Sequence, residues 1–155
     1  ESPDLEQRWC FQWDVIHFNV GLHDLKYLLN GKLDTENGTQ STSISDYKQN
    51  LVNIIKYLKE LAPEAQLIFA TITPVPDGAP GRVAGDSERY NNAALEVLEG
   101  YPEIEINDLY TLTKPHHAEW MTAPGNVHFN ATGATMQGDQ VAQFISDALR
   151  SDRGD

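Results

Sequence analysis

Three short apolar runs, each followed by a loop and then a segment of helical period, set the narrowest limits on this chain. The runs are WDVIHFNV at 13–20, QLIFATI at 66–72 and EIEINDLY at 103–110. Val15, Ile16, Phe18 and Val20 dominate the first, and Ile104 and Ile106 alternate in the third. Runs this short, rich in β-branched and aromatic residues, read as buried strands. Tyr47, Leu51, Ile54, Ile55, Leu58 and Leu61 then recur at helical spacing, with Ser45 or Asp46 placed to cap the segment and Pro63 to end it. Tyr90, Ala93, Ala94, Val97 and Leu98 form a second apolar stripe over 87–99. Ala134, Val141, Ile145, Ala148 and Leu149 form a third over 131–149. Strands alternating with amphipathic helices predict a parallel sheet covered on both faces, an α/β fold in a single domain over 1–155. Residues 4–11 read as a short helix or the tail of one, and 30–44 and 111–129 as long loops.

Composition removes several classes of partner. The formal net charge is −12, and no Lys/Arg cluster offsets it, so nucleic acid is not an expected partner. No apolar run approaches the length of a membrane span, so no membrane is expected either. Cys10 is alone, which excludes an internal disulfide and a cysteine-based zinc site. His116, His117 and Glu119, taken with His128, fit no standard zinc spacing, and no metal is expected. Asn37 and Asn130 open glycosylation sequons, a pattern common by chance. The stretch ESPDLEQRW shows no leader; a leader already removed would leave no trace, and an extracytoplasmic setting is the expectation.

Sites in open parallel sheets lie beyond the carboxyl ends of the strands. Three stretches occupy such positions: GLHD at 21–24, the Pro/Gly loop TPVPDGAPGRVAGD at 73–86, and the loop that ends in PGNVHF. They should converge on one edge of the sheet.

In this order the motifs resemble the SGNH, or GDSL-type, hydrolases. GLHD resembles their third block, usually written G-x-N-D, and NVHFNATGATMQGDQVAQFI at 126–145 resembles their last block, a histidine followed by a C-terminal helix. TITPVP, RYNNAALEVL and INDLY fill the order between, so the resemblance covers nearly the whole chain. It implies a three-layer α/β/α sandwich of flavodoxin-like type, no cofactor, and hydrolysis of a small-molecule ester, an acetylated carbohydrate being one case, by a serine nucleophile. It assigns His128 as the catalytic base, and places Gly21, His23, Asp24 and Asn126 in oxyanion or substrate binding. His23 stands where the family has asparagine; an imidazole N–H can donate to an oxyanion when the right nitrogen is protonated. Gly125 stands where the family has the triad aspartate, which leaves a dyad, a backbone carbonyl or another carboxylate such as Asp24 to orient His128.

The resemblance also implies a nucleophile block on a strand before GLHD. Twelve residues precede Trp13, and Ser2 is their only serine. The expectation is a chain truncated relative to the family, its N-terminal strands missing, and inactive by itself. Gly85-Asp86-Ser87 spells the family's G-D-S, but no strand precedes it, and Asp86 or Ser87 reads as a helix cap. The implied strand order 2-1-3-4-5 leaves the 13–20 strand without a neighbour, so a second chain, a dimer or a rearranged N-terminal segment should cover that edge. His17 reads as a packed, hydrogen-bonded residue and Asn130 as the cap of the last helix. Trp120 and Met121 line an acyl or sugar pocket or anchor their loop, and Arg82 and Arg89 contact an anionic substrate or, the preferred reading, pair with nearby acids. The rival reading is a non-catalytic member that binds a ligand or partner.

Overall fold

The structure, a computed structural model, describes residues 12–153; the segment 4–11 lies outside them. Strand β1 (Val15–Phe18) pairs in parallel with β5 (Gln66–Ala70), and β5 pairs in parallel with β6 (Glu105–Asn107). The sheet order is β1-β5-β6. Period-two alternation then decides which residues face which layer. Leu67 and Phe69 of β5 face a core with Tyr47, Leu51 and Ile55 of α1 (Ile44–Leu61) and Tyr90, Ala93, Ala94 and Leu98 of α2 (Asp86–Leu98). Gln66, on the opposite face, donates from Nε2 to the Ala148 carbonyl of α5 (Ala131–Arg153) at 3.1 Å. Helices thus cover both faces, the predicted α/β/α layering. Phe69 and Ile68 are fully buried, and burial of each such side chain is worth about 1.5–3 kcal/mol.

Several expectations change in detail. β1 is half-buried rather than buried, because among the described residues it has a strand on one side only. The 30–44 segment is not a plain loop. It carries part of a small antiparallel sheet of β2 (Tyr27–Leu29), β3 (Lys32–Leu33) and β4 (Thr39–Gln40), in the order β3-β2-β4. Asn30 and Gly31, with φ of 50° and 76°, form the two-residue hairpin turn between β2 and β3. Ser43, not Ser45 or Asp46, caps α1: its Oγ accepts from the Asp46 N–H at 3.1 Å and donates to the Asp46 carboxylate at 2.7 Å. α2 has Gly85 at its N-cap with no side-chain cap, so neither Asp86 nor Ser87 has the capping role. Both are buried, and Asp86 accepts from Arg89 and Gln40 instead.

The third strand is short. Asp108 turns the chain into α3 (Leu109–Thr113) by accepting from the Thr111 N–H at 3.1 Å, and Ile106 is exposed at the sheet edge. The 111–129 segment holds the end of α3, a 3-10 turn (Lys114–His116) and α4 (His117–Trp120). In α5 it is Gly133, not Ala134, that faces inward, because a side chain there would collide with Trp120 and Phe129. Asn130 accepts from the Gly133 N–H at 3.0 Å, which is the expected cap.

Candidate active site

The GLHD turn is built from the end of β1. Asn19 ties that end to β5 by donating to the carbonyls of Ala70 and Thr71 at 2.8 and 3.0 Å. Gly21 follows with φ of +131°, and a Cβ there would lie 2.2 Å from Ile72 Cδ1. Only glycine fits such a position. The Gly21 carbonyl then accepts from the Asp24 N–H at 2.9 Å, and fully buried Leu25 plugs the turn into the core. The outcome is a rigid corner that sends His23 and Asp24 in different directions.

His23 is exposed and lines a cleft of about 480 Å³ together with Lys26, Arg82, Asn126 and His128. Asp24 does not line it. Asp24 bounds a separate hollow with Val20, Tyr47 and Leu51 along α1, so it is not placed to orient His128. Gly21 is buried beneath the turn and contributes only the corner. Among the described residues, no serine lines the cleft. Ser87 is buried, with 1 % of its surface exposed, and offers no accessible hydroxyl.

His128 reaches the cleft from the far loop. That loop is closed by a bridge between Met121 and Phe129 and by the Thr122 N–H donating to the His128 carbonyl at 3.0 Å. Asn126 organises its tip. Asn126 Oδ1 accepts from the His128 backbone N–H at 3.0 Å and contacts the ring Nδ1 at 2.7 Å. A backbone N–H can only donate, so the asparagine atom it meets is the oxygen. That oxygen cannot donate, so Nδ1 must carry the proton. In the neutral ring the lone pair of His128 therefore sits on Nε2, the form a general base requires. Gly125 has φ of +73°, and a Cβ there would lie 3.1 Å from the Gly78 carbonyl oxygen. A residue with a side chain, such as aspartate, is disfavoured where the resemblance expected one, and the asparagine next along holds the ring.

The remaining candidates fall elsewhere. His116 stacks on Trp120 with ring centroids 4.4 Å apart, and His117 lies against Phe129, so the adjacent histidines diverge. Among the described residues no three metal-ligating side chains cluster. Trp120 is buried and anchors its loop. Arg89 pairs with Asp86 at 2.6 Å, as expected. Arg82 does not pair with an acid: its Nε–H donates to the Leu22 carbonyl at 3.0 Å and the side chain lines the cleft. The sequence admitted Arg82 as a contact to an anionic substrate without placing it in this cleft, and Lys26 went unmarked as a cleft residue. The sequence signal was their position after strand ends, where the loops converge.

A parallel sheet between helix layers, with His128 in an open cleft at the strand ends, defines a layered α/β/α architecture. The chain belongs to the GDSL-like lipase/acylhydrolase family, whose model matches residues 1–136. The fold is similar to that of a GDSL-like lipase from Parabacteroides merdae, at 20% identity, TM-score 0.62, 88% of this chain and 64% of that one. It is similar to a GDSL-like lipase from Bacteroides thetaiotaomicron, at 17% identity, TM-score 0.61, 87% of this chain and 63% of that one. It is also similar to a carbohydrate esterase family 2 enzyme with a carbohydrate-binding domain from Corynascus thermopiles (Myceliophthora fergusii), at 19% identity, TM-score 0.63, 90% of this chain and 38% of that one. At these identities the likeness is one of fold, and the chain spans less than two thirds of each of these structures. No curated protein matches the sequence. Among the described residues no helix is long and apolar enough to cross a membrane.

Proposed function

We propose that this chain carries the base side of an ester-hydrolysing site, with an acylated carbohydrate as the substrate class and the attacking hydroxyl supplied from outside the described residues. The observation that carries the reading is the Asn126–His128 pair, which in the neutral ring turns the Nε2 lone pair to a cleft open to ligand. In the reaction, a serine hydroxyl attacks the acyl carbonyl and passes its proton to His128 Nε2. The tetrahedral intermediate collapses, and the leaving alkoxide takes that proton from His128. Water then attacks the acyl-serine, again losing its proton to Nε2, and as the carbon–serine oxygen bond breaks that proton returns to the serine oxygen and the acid is released. His23, at the tip of the rigid corner, serves as a donor to the oxyanion.

Support for an external hydroxyl comes from the sheet. Among the described residues, the outer edge of β1 has no strand partner, and a shallow apolar hollow lined by Val15, Ile16, His17, Leu58 and Ile145 runs along it. A strand added in parallel there would end beside the GLHD corner and the cleft. A second chain, a dimer contact or an upstream segment each meets that requirement. The test is hydrolysis of 4-nitrophenyl acetate by this chain, by a form with the upstream reading frame restored, and by that form carrying His128→Ala. Activity confined to the restored form and lost with His128→Ala supports the reading. Inactivity of a folded restored form favours the ligand-binding rival. Equal rates in all three would mean background chemistry and remove His128 from the mechanism.

A further inference from the structure

The cleft of His128 is a positive site on a negative protein. The chain carries 23 Asp and Glu against 11 Lys and Arg. The cleft inverts that balance: Lys26 and Arg82 line it beside the rings of His23 and His128, with no carboxylate among the lining residues. Among the described residues elsewhere, five cations find acids, and Lys32 and Lys56 stand exposed without one. Lys48 pairs with Glu96, Lys59 with Glu103, Arg89 with Asp86, Lys114 with Glu88 and Arg150 with Asp147. Among the described residues, Lys26 and Arg82 form no ion pair. A bare cation on an open surface needs no explanation, because water solvates it. Arg82 is half-buried, and burial pulls its guanidinium below the ordinary arginine value. A desolvated cation without a counter-charge is a cost that a bound anion removes.

Arg82 is also fixed in place. Its Nε–H is committed to the carbonyl of Leu22, the residue next to His23. Its own backbone N–H donates to the Ala79 carbonyl at 3.1 Å, and the preceding Gly81 carbonyl accepts from the Tyr27 N–H at 2.7 Å. The guanidinium is therefore registered to the same corner that places His23. With Nε used, the two terminal NH2 groups remain, and together they form a fork that matches the paired oxygens of a carboxylate or sulfate.

We propose that the cleft selects esters that carry a second, anionic group, a carboxylate or sulfate, bound by the terminal nitrogens of Arg82 with Lys26 adding charge. The substrate class becomes an acyl ester on an acidic molecule, such as an acidic sugar, rather than on a neutral one. The scissile bond rests on the ester-hydrolase reading; the anion subsite does not depend on it.

Two experiments separate these claims. In the first, the 155-residue chain is titrated with benzoate, benzenesulfonate and benzamide while the amide NMR signals of Leu22, His23 and Asn126 are followed. Saturable shifts are expected with the anions and not with benzamide, and the stronger of the two anions identifies the group. Arg82→Gln should weaken anion binding by about 10-fold to 100-fold, the usual effect of losing hydrogen bonds to a charged group. Should Arg82→Gln fail to fold, Lys26→Gln, which gives up no side-chain hydrogen bond made in the structure, should weaken it by a smaller factor. In the second, the restored form is assayed with 4-acetoxybenzoate, 4-acetoxybenzenesulfonate and methyl 4-acetoxybenzoate. The ratio of kcat/KM for the anionic over the neutral ester should exceed one and fall about 10-fold in Arg82→Gln, with partial recovery in Arg82→Lys. Equal shifts from benzamide and benzoate, or a ratio that neither variant moves, would overturn the anion subsite whatever the rate of hydrolysis. Anion binding with no ester hydrolysis in the restored form would uphold the subsite and remove the ester reading.

Discussion

His17 and His128 are both held by an asparagine side chain, and the two pairs put the ring to opposite uses. His17 stands in β1, where its Nε2 accepts from Asn107 Nδ2 at 3.0 Å. Asn107 is fully buried, and with its oxygen accepting from Gln140 of α5 at 2.6 Å its Nδ2 is turned to the ring. The lone pair of His17 is thus spent on joining two strands and a helix. His128 is exposed, Asn126 accepts from its Nδ1, and its Nε2 makes no hydrogen bond among the described residues. Both rings carry their proton on Nδ1. The end of the ring that is covered decides the use: covering the lone pair makes a structural brace, and covering the proton leaves a base.

The strongest way to break this comparison is to delete each ring's function in turn. His128→Ala should lower kcat/KM of the restored form by at least about 100-fold, the share general acid-base catalysis supplies. Its unfolding free energy should move by no more than about 0.5 kcal/mol, as expected for an exposed residue. Asn107→Ala should do the reverse. It strands the half-buried partners His17 and Gln140 and empties a buried polar position, and a loss of about 1–3 kcal/mol in denaturant unfolding is expected.

A finer test changes the character of the support. Asn126→Asp places a negative charge on the proton-bearing side of His128 and favours the imidazolium. The acidic limb of the pH–rate profile should move to higher pH, while Asn126→Ala should cut kcat by about 10-fold through loss of one hydrogen bond. A merely structural Asn126 would lower activity without moving that limb.

The smallest effect concerns protons on the brace. Burial holds His17 and His117 below the ordinary histidine value of 6.5. A group whose folded pKa is depressed stabilises the fold above its unfolded pKa and loses that contribution as pH falls through the folded one. Unfolding free energy should therefore decline as the pH is lowered from about 7 to about 5, and His17→Gln should flatten the decline.

The layers were legible because they depend on period. The apolar stripe of α1 and the run at 66–72 differ in spacing, and spacing alone separates helix from strand. The convergence of the three loops followed from the parallel order. What could not be read lies in contacts between distant residues. Tyr27–Leu29 pairs with Thr39–Gln40 across a polar stretch whose composition resembles a loop. Ile106 looks like a core residue until the sheet ends beside it. Asp24 sits one residue from His23 in sequence, yet the tight turn points it into a different hollow. Arg82 and Arg89 carried the same two readings, a neighbouring acid or an anionic substrate, because nothing local distinguishes a loop arginine that meets a carbonyl from one that meets a carboxylate.

The central claim is that Asn126 fixes the proton of His128 on Nδ1 and leaves Nε2 free to act as the base. Long-range proton–nitrogen NMR of the ¹⁵N-labelled chain, recorded above the titration of the ring, reads this directly. A protonated Nδ1 and an unprotonated Nε2 at His128, with a shift toward the Nε2-protonated form in Asn126→Ala, is the predicted result. A ring protonated on Nε2 in the unaltered chain would contradict it.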